Sequence, residues 1–324
     1  MAVLFRQSLL LNSILCNSEV LYGLNQEHIN TLESVDKYFW RKVFGSPIST
    51  PTESFYIETN SVSIRHIIMG RRLMYYWNIL QKNDSELVKK VYNIQKKVPV
   101  KSDWALQIQN DLAACDITLS EEEIKSMKKE RFKNLVKQKI RNLSKQYLIS
   151  LRSKHSKSEK LLHENVIKEY LTCQEISTEE KKLLFALKTK TVNVKTNYSS
   201  GYKDNMQCRL CGKPGEDESE IHILTCQHIV NENGLRGQLD NLVYSDIFGS
   251  LKKQIEAVKI WKKVLKVWNI KLEALKSSPR GHQVHLPPGL SASYACTSTQ
   301  TVDPPSFNDS NSLDDSNCIV YDFG

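Results

Sequence analysis

The chain has 324 residues, long enough for two or three modest domains with hydrophobic cores of their own. Apolar residues make up 40% of it and glycine only 12 positions, which favours helices over β architectures. No run reaches the ~18 consecutive apolar residues of a membrane span, so a spanning function is not expected. The formal net charge of +9 points to a polyanionic partner, with lysines kept for solubility as the other reading.

Residues 2–22 read as a mostly apolar helix ending at Tyr22-Gly23. Leu9–Cys16, with Arg6 before it, partly imitates a signal peptide. It is broken by Asn12 and Ser13 and lacks a small-residue cleavage site, so it reads as a packing face. Asn25 can cap a second helix with Glu27 in its first turn. Ile29, Leu32, Val35, Phe39, Val43 and Phe44 give it one buried face, and Gly45-Ser46-Pro47 stops it. Tyr38-Phe39-Trp40 reads as core rather than as a platform for stacked bases. Residues 46–60 read as a Pro/Ser/Thr loop. Ser61–Gln81 then reads as a helix with Ile64, Ile67, Ile68, Leu73, Tyr76 and Leu80 inward and Arg65, Arg71 and Arg72 exposed. Asn83-Asp84 starts a short helix to about Gln95, Pro99 ends it, and Asp103 caps another through Leu112.

Ser120-Glu121-Glu122-Glu123 is a helix start, a hydroxyl cap followed by carboxylates at the positive end of the dipole. The helix predicted over 121–152 has an apolar stripe of Ile124, Met127, Phe132, Leu135, Val136, Ile140, Leu143, Tyr147 and Leu148. Its other face carries Lys125, Lys128, Lys129, Arg131, Lys133, Lys137, Lys139, Arg141 and Lys145, opposed only by Glu130. A charge run can be a plain solvated face. A nearly single-signed one over several turns also suits phosphate contacts that are sequence-blind and salt-sensitive. Lys128, Arg131, Lys137 and Arg141 are the candidates for such contacts.

Helices at 158–171 and 177–190 follow, the second with a Ser177-x-x-Glu180 capping box. Residues 191–207 read as a polar linker with Tyr198 and Tyr202. Leu251–Lys276 reads as an amphipathic helix with Ile255, Val258, Trp261, Leu265, Trp268, Leu272 and Leu275 on one stripe. From Ser277 onward Ser, Pro, Thr, Asn and Asp dominate, the composition of a disordered tail.

Between linker and last helix stands the one constellation suited to a site: Cys208-Arg-Leu-Cys211 and His222-Ile-Leu-Thr-Cys226. Two thiolates, an imidazole and a third thiolate form a complete tetrahedral set for Zn²⁺, with ligand bonds of ~2.0–2.3 Å. Gly212 and Pro214-Gly215 permit the tight turn. His222 and Cys226 share a face if Ile221–His228 is helical, and Ile221, Ile223 and Leu224 could cover the metal's apolar side. His228 is a rival ligand. No βαβ unit supports a redox Cys-x-x-Cys, and no His-Glu-x-x-His frame supports a hydrolytic zinc. The site is therefore expected to be structural, with no catalytic residues and no small-molecule substrate. The core of the helical body is expected to be independent of it. The other cysteines, Cys16, Cys115, Cys173, Cys296 and Cys318, are too scattered for a disulfide framework. That fits a reducing compartment, nucleus or cytoplasm.

The order of these pieces resembles the carboxy-terminal part of non-LTR (LINE-type) retrotransposon reverse transcriptases. Ser8–Tyr22 is similar to the start of the thumb, Leu32-Glu-Ser-Val-Asp36 to its continuation, and Leu24–Gly45 to the thumb helix. Ile64-Arg-His-Ile-Ile-Met-Gly-Arg-Arg-Leu73 is similar to the following block. Asn197–Cys211 with His222–Cys226 is similar to the terminal CCHC zinc knuckle, its ten-residue loop being longer than is typical. The resemblance covers roughly residues 1–230. It implies a thumb over 1–50, a helical connector over 51–190 and a linker with the knuckle over 191–235; periodicity and composition add a terminal amphipathic helix over 236–276 and a disordered tail over 277–324. In that family the catalytic aspartates lie upstream, in the palm. The only adjacent pair here, Asp314-Asp315, stands in the tail without a strand around it. The expectation is a mainly α, truncated protein that holds an RNA or DNA backbone and does not polymerise. Two alternatives remain: a helical interaction module with structural zinc, and the end of an active polymerase whose first part is missing. The oligomeric state is not legible.

Overall fold

A computed structural model describes residues 2–21, 24, 26–98, 103–152, 168–201, 205–232, 235–239 and 242–277. Among them every regular element is helical, apart from one isolated antiparallel bridge between Gln207 and Asp217. The fold is thus mainly α and multi-helical, as the composition predicts. No helix among the described residues is long and apolar enough to cross a membrane.

The chain starts with helical stretches Ala2–Phe5, Arg6–Leu10 and Leu11–Ile14, the middle one in wider π turns. The Gln26–Phe44 helix follows and buries Asp36, Trp40 and Phe44, while Val35, expected inward, is exposed. Asn25, its expected cap, lies outside the described residues. Gly45 adopts a φ of +62°, the left-handed conformation that glycine takes without strain, and ends the helix.

Thr52–Thr59 is a helix where the sequence predicts a loop. Pro51 precedes it with φ −61°, and left-handed Asn60 closes it. Every residue from Glu53 to Thr59 is buried, so the segment is enclosed on all sides and has no solvent face. A periodicity reading looks for two faces and misses it. Phe55 stacks on Phe185 at 5.4 Å and Phe44 stacks on the same ring at 4.1 Å, which ties the amino-terminal helices to the later half.

The Ile64–Gln81 helix is the hub of the body, packed by the Gln26–Phe44, Leu87–Lys97, Trp104–Ala114, Glu121–Ser126 and Lys129–Arg152 helices. Ile64, Ile67, Ile68, Leu73, Tyr76 and Leu80 are buried as predicted. Arg71 and Arg72, expected in solvent, are buried too. Arg72 donates to both oxygens of Asp111 at 2.7 and 3.0 Å, and Arg71 donates to the Leu15 carbonyl and, at 3.0 Å, to Asn12 Oδ1. Each guanidinium finds its acceptors tens of residues away, which a local pattern does not reveal.

His66 on this helix is buried, with Nδ1 2.7 Å from the Ser63 hydroxyl and its ring edge-on to Tyr147. Burial, aided by the neighbouring Arg65 charge, lowers its pKa from 6.5 to about 4. The unfolded chain therefore binds a proton that the folded chain refuses. This contribution to stability is complete above pH 6.5 and is lost as the pH falls toward 4. We expect His66→Gln to flatten the pH dependence of the urea midpoint across that window relative to the parent protein. Parallel curves would refute the assignment.

The single helix predicted over 121–152 is two, Glu121–Ser126 and Lys129–Arg152. Met127 is extended between them (φ −71°, ψ 139°). Tertiary donors explain the break: Trp77 Nε1 donates to the Met127 carbonyl at 3.2 Å and Gln81 Nε2 to the Lys125 carbonyl at 2.8 Å. These replace the intrahelical partners that a continuous helix would supply. The Ser120–Glu123 capping box is present as predicted. On the second helix Phe132, Val136, Ile140 and Leu148 are buried, with Leu135, Leu143 and Tyr147 beside them.

Of the helix expected over 158–171, the described part is the Glu169–Thr172 turn. The next helix is Thr178–Lys188, with the Ser177–Glu180 box formed. Residues 191–201 are not a loose linker: Val192 and Val194 are buried and Lys195–Gly201 winds in 3-10 turns kinked at Tyr198 (φ −129°, ψ 38°). One core cluster then runs from Tyr170 to Leu272 and includes Leu184, Cys208, Ile223, Cys226, Trp261 and Trp268. The boundaries expected at 190/191 and 235/236 cut through this core. Cys208 and Cys226 thus share a core with the carboxy-terminal helices. The Leu251–Ser277 helix buries Ile255, Val258, Trp261, Trp268 and Leu272, while Leu275 faces solvent at its end. The expected tail, including Asp314-Asp315, lies outside the described residues.

Candidate metal centre

The segments 206–208 and 216–218 run antiparallel, held by Cys208 N–H to the Glu216 carbonyl at 3.0 Å and Glu218 N–H to the Met206 carbonyl at 2.8 Å. The turn after Cys211 is closed by Gly212 N–H on the Cys208 carbonyl at 2.9 Å. Gly212 has φ +58°, and a Cβ there would meet nothing within 4 Å. The glycine is needed for its backbone conformation and not for space. Both sulfurs of Cys208 and Cys211 are thus brought to one side of the turn.

Ser219 accepts His222 N–H at 3.1 Å and caps the Glu220–Thr225 helix, which carries the imidazole. The helix expected over Ile221–His228 breaks at Cys226, whose extended backbone (φ −62°, ψ 122°) starts a new turn at Gln227–Val230. The break leaves Cys226 facing the hairpin. Ile223 and Leu224 are buried as predicted, but Ile221 points to solvent and covers nothing.

The ligand atoms of Cys208, Cys211, His222 and Cys226 all lie within 4.8 Å of one another. Ligands bound to a single ion at ~2.0–2.3 Å stand about 3.5 Å apart across a tetrahedron, and Cys211 Sγ is 3.4 Å from His222 Nε2. The four can hold one metal ion. His228, the rival, is exposed and outside the cluster. Four protein donors fill a tetrahedral shell and leave no place for substrate.

The surroundings suit a charged centre. Glu216 Oε2 lies 3.0 Å from His222 Nδ1. That carboxylate fixes the tautomer, with hydrogen on Nδ1 and the Nε2 lone pair toward the sulfurs. Backbone N–H groups of Cys211 and Leu210 donate to the Cys208 sulfur, and that of His228 donates to the Cys226 sulfur. Contact with Cys226, followed by burial, pushes the Cys208 thiol well up, and the same contact lowers Cys226. A metal bound here would displace the thiol protons.

Sequence reasoning missed the residues that anchor this hairpin. Glu218 is fully buried, forms an ion pair with Arg209, and accepts the N–H groups of Lys195 at 3.1 Å and Arg209 at 2.9 Å. The Arg209 guanidinium lies 5.8 Å from the Trp268 ring centroid and also donates to the Asn193 carbonyl at 3.0 Å. Asn197 Nδ2 donates to Glu220 at 2.6 Å. Between Cys211 and His222 the acidic residues read as an exposed loop. Nothing in their spacing distinguishes buried Glu218 from Asp217 next to it.

The residues predicted to meet phosphate lie on the Lys129–Arg152 helix and at its start. Lys128, Arg131 and Arg141 are exposed and Lys137 is half-buried. The carbonyl of Lys128 accepts Phe132 N–H at 3.1 Å, which puts it at the cap position and not within a continuous helix. Arg131, Lys137 and Arg141 span about 15 Å of the helix, Lys137 and Arg141 close together in angle and Arg131 roughly 120° around the axis from Lys137. Lys139 is engaged by Asp116 at 2.9 Å. Comparison of the chain with protein-family models, with curated proteins and with solved structures finds no match.

Proposed function

We propose that the protein binds the sugar–phosphate backbone of RNA or of an RNA–DNA hybrid without reading its sequence, and that its metal is a structural zinc. The observation that carries the reading is the solvent side of the Lys129–Arg152 helix. There Arg131, Lys137 and Arg141 follow one another and Glu130 is the helix's only carboxylate. Backbone recognition needs spaced cations and no base-reading platform. The aromatic run Tyr38-Phe39-Trp40 does not offer a platform, since Trp40 is wholly buried. Zinc follows from three thiolates and one imidazole in a closed tetrahedral set. In this reading the chain corresponds to the thumb, connector and knuckle of a LINE-type reverse transcriptase. It carries no phosphoryl-transfer chemistry, and the metal orders the knuckle.

Fluorescence anisotropy with a labelled RNA–DNA duplex and a single-stranded RNA, across roughly 50–200 mM salt, tests it. Log affinity is expected to fall linearly with log salt. The Arg131→Ala/Lys137→Ala/Arg141→Ala variant should reduce the duplex slope by about 2–3. No binding at low salt, or an unchanged slope in the variant, leaves a helical interaction module with a structural metal.

A further inference from the structure

The Leu87–Lys97 helix packs on the body through Tyr92 and Lys89, which are buried. Val88 is partly buried against the core, but the other aliphatic side chains point the other way. Leu87 is 78% exposed, Val91 45%, Ile94 63% and Val98, just past the last turn, 67%. Scattered exposed aliphatics are ordinary, but four in register on one helix are not. Their steps of four, three and four residues form a single narrow seam, the spacing with which one helix packs against another.

The edges of the seam say what fits it. Lys90 and Lys97 stand one residue before Val91 and Val98, a seven-residue repeat that lines one edge with ammonium groups. Both are exposed, and neither forms an ion pair among the described residues. Their neighbours differ: Lys96 is held by Glu121 at 2.8 Å and Lys82 by Glu86 at 3.1 Å. The opposite edge, Val88 and Gln95, is neutral. A partner helix with its own four–three apolar seam and carboxylates along the facing edge would cover the aliphatics and pair both lysines. A second copy of this chain would not. Antiparallel pairing sets lysine edge against lysine edge, and parallel pairing sets it against Val88 and Gln95. A bilayer calls for a broad apolar face with aromatic residues, and this seam is narrow and wholly aliphatic. A nucleic-acid backbone could use the lysines but offers nothing to cover four aliphatic side chains.

We propose that the solvent face of the Leu87–Lys97 helix is a docking seam for an acidic amphipathic helix of a partner protein. The proposal stands apart from nucleic-acid binding, which rests on the Lys129–Arg152 helix. Two monomeric synthetic helices of three heptads test it on the full chain, both with leucine at the seam positions, one flanked by glutamate and one by lysine. The glutamate-flanked peptide is expected to bind with micromolar affinity and the lysine-flanked one at least ~10-fold more weakly. V91E/I94E should weaken the first by ~10-fold or more, and K90E/K97E should reverse the preference between the two. All four positions are solvent-facing, so circular dichroism and the urea midpoint of the variants should match the parent. Equal binding of both peptides, no binding of either, or an unreversed preference in K90E/K97E overturns the proposal. So does a concentration-dependent dimer, or adsorption to phosphatidylserine vesicles, that V91E/I94E abolishes.

Discussion

Replacing Cys208 and Cys211 together by serine is expected to unfold the carboxy-terminal half of the protein along with the metal site. Both Cys208 and Cys226 belong to the core that holds Leu184, Ile223, Trp261 and Trp268. The hairpin that presents Cys208 is fastened to the last helix through Arg209, which pairs with buried Glu218 and lies over Trp268. Zinc contributes about 10–16 kcal/mol of apparent binding energy in zinc-finger peptides, as large as the whole stability of an ordinary domain at about 5–15 kcal/mol. The parent protein should therefore carry one zinc per chain and the variant none. In the variant the near-ultraviolet dichroism of Trp261 and Trp268 should collapse, and the helicity of Thr178–Lys188 and Leu251–Ser277 should fall. The cluster joining Leu73, Tyr76, Ile108, Phe132 and Ile140 lies outside that core and should persist. A strong chelator should reproduce the variant. Glu216→Gln should act more gently. It keeps the ligands but removes the carboxylate that orients His222, and it should weaken metal binding by ~10–100-fold without unfolding. Equal metal content in parent and double variant would refute the ligand assignment. Loss of metal with the tryptophan signal intact would refute the coupling.

That expectation reverses the one drawn from sequence, in which the helical body stands independent of the site. The reason lies in what spacing conveys. Cys208, Cys211, His222 and Cys226 are legible because metal coordination demands particular atoms at short separations along the chain. The Ser120 and Ser177 caps and the Phe132–Leu148 stripe are legible for a similar reason, since each is a relation among residues within a few turns. What surrounds the ligands is set by long-range contact. Glu218 is buried through Arg209, Lys195 and the Trp268 face. Arg71 and Arg72 are buried because Leu15, Asn12 and Asp111 arrive from elsewhere in the chain. The helix over 121–152 breaks because Trp77 and Gln81 take carbonyls at Met127 and Lys125. Thr52–Thr59 is invisible to periodicity because it is buried all round. Leu87, Val91, Ile94 and Val98 form the converse case. A regular stripe predicts a buried face, and here the stripe faces solvent while Tyr92 anchors the helix from the other side.

The amino-terminal helices carry the second large prediction: Asp36→Ala should cost about 3–5 kcal/mol, the price of a buried charge left without its partner. Asp36 is fully buried, and Arg6 is 1% exposed. Arg6 Nε and Nη2 donate to the two Asp36 oxygens at 2.6 and 2.7 Å, Nη2 also donates to the Val62 carbonyl at 3.1 Å, and the Tyr56 hydroxyl donates to Asp36 at 2.7 Å. The guanidinium lies 5.6 Å from the ring centroids of both Trp40 and Tyr56. Burial alone would lower the Arg6 pKa, but Asp36 outweighs it and the net shift is upward, so the guanidinium stays charged. Burial, reinforced by the Asp36 charge, likewise holds the Tyr56 hydroxyl well above its ordinary range, so it remains a donor. Removing the carboxylate strands a guanidinium in a site lined by indole and phenol rings, with water unable to replace the lost acceptors. The test that separates a stranded charge from lost packing is the pair variant Arg6→Met/Asp36→Leu. A buried ion pair gains little over an apolar pair of similar volume, because desolvation offsets most of its Coulomb attraction. The pair variant should therefore recover most of the stability that Asp36→Ala loses. Urea midpoints across the cycle decide it. An Asp36→Ala protein within about 1 kcal/mol of the parent would mean that Arg6 finds water or another acceptor. A pair variant as unstable as the single one would mean that the contacts of Arg6 with Trp40, Tyr56 and the Val62 carbonyl hold these helices, and not its charge on Asp36.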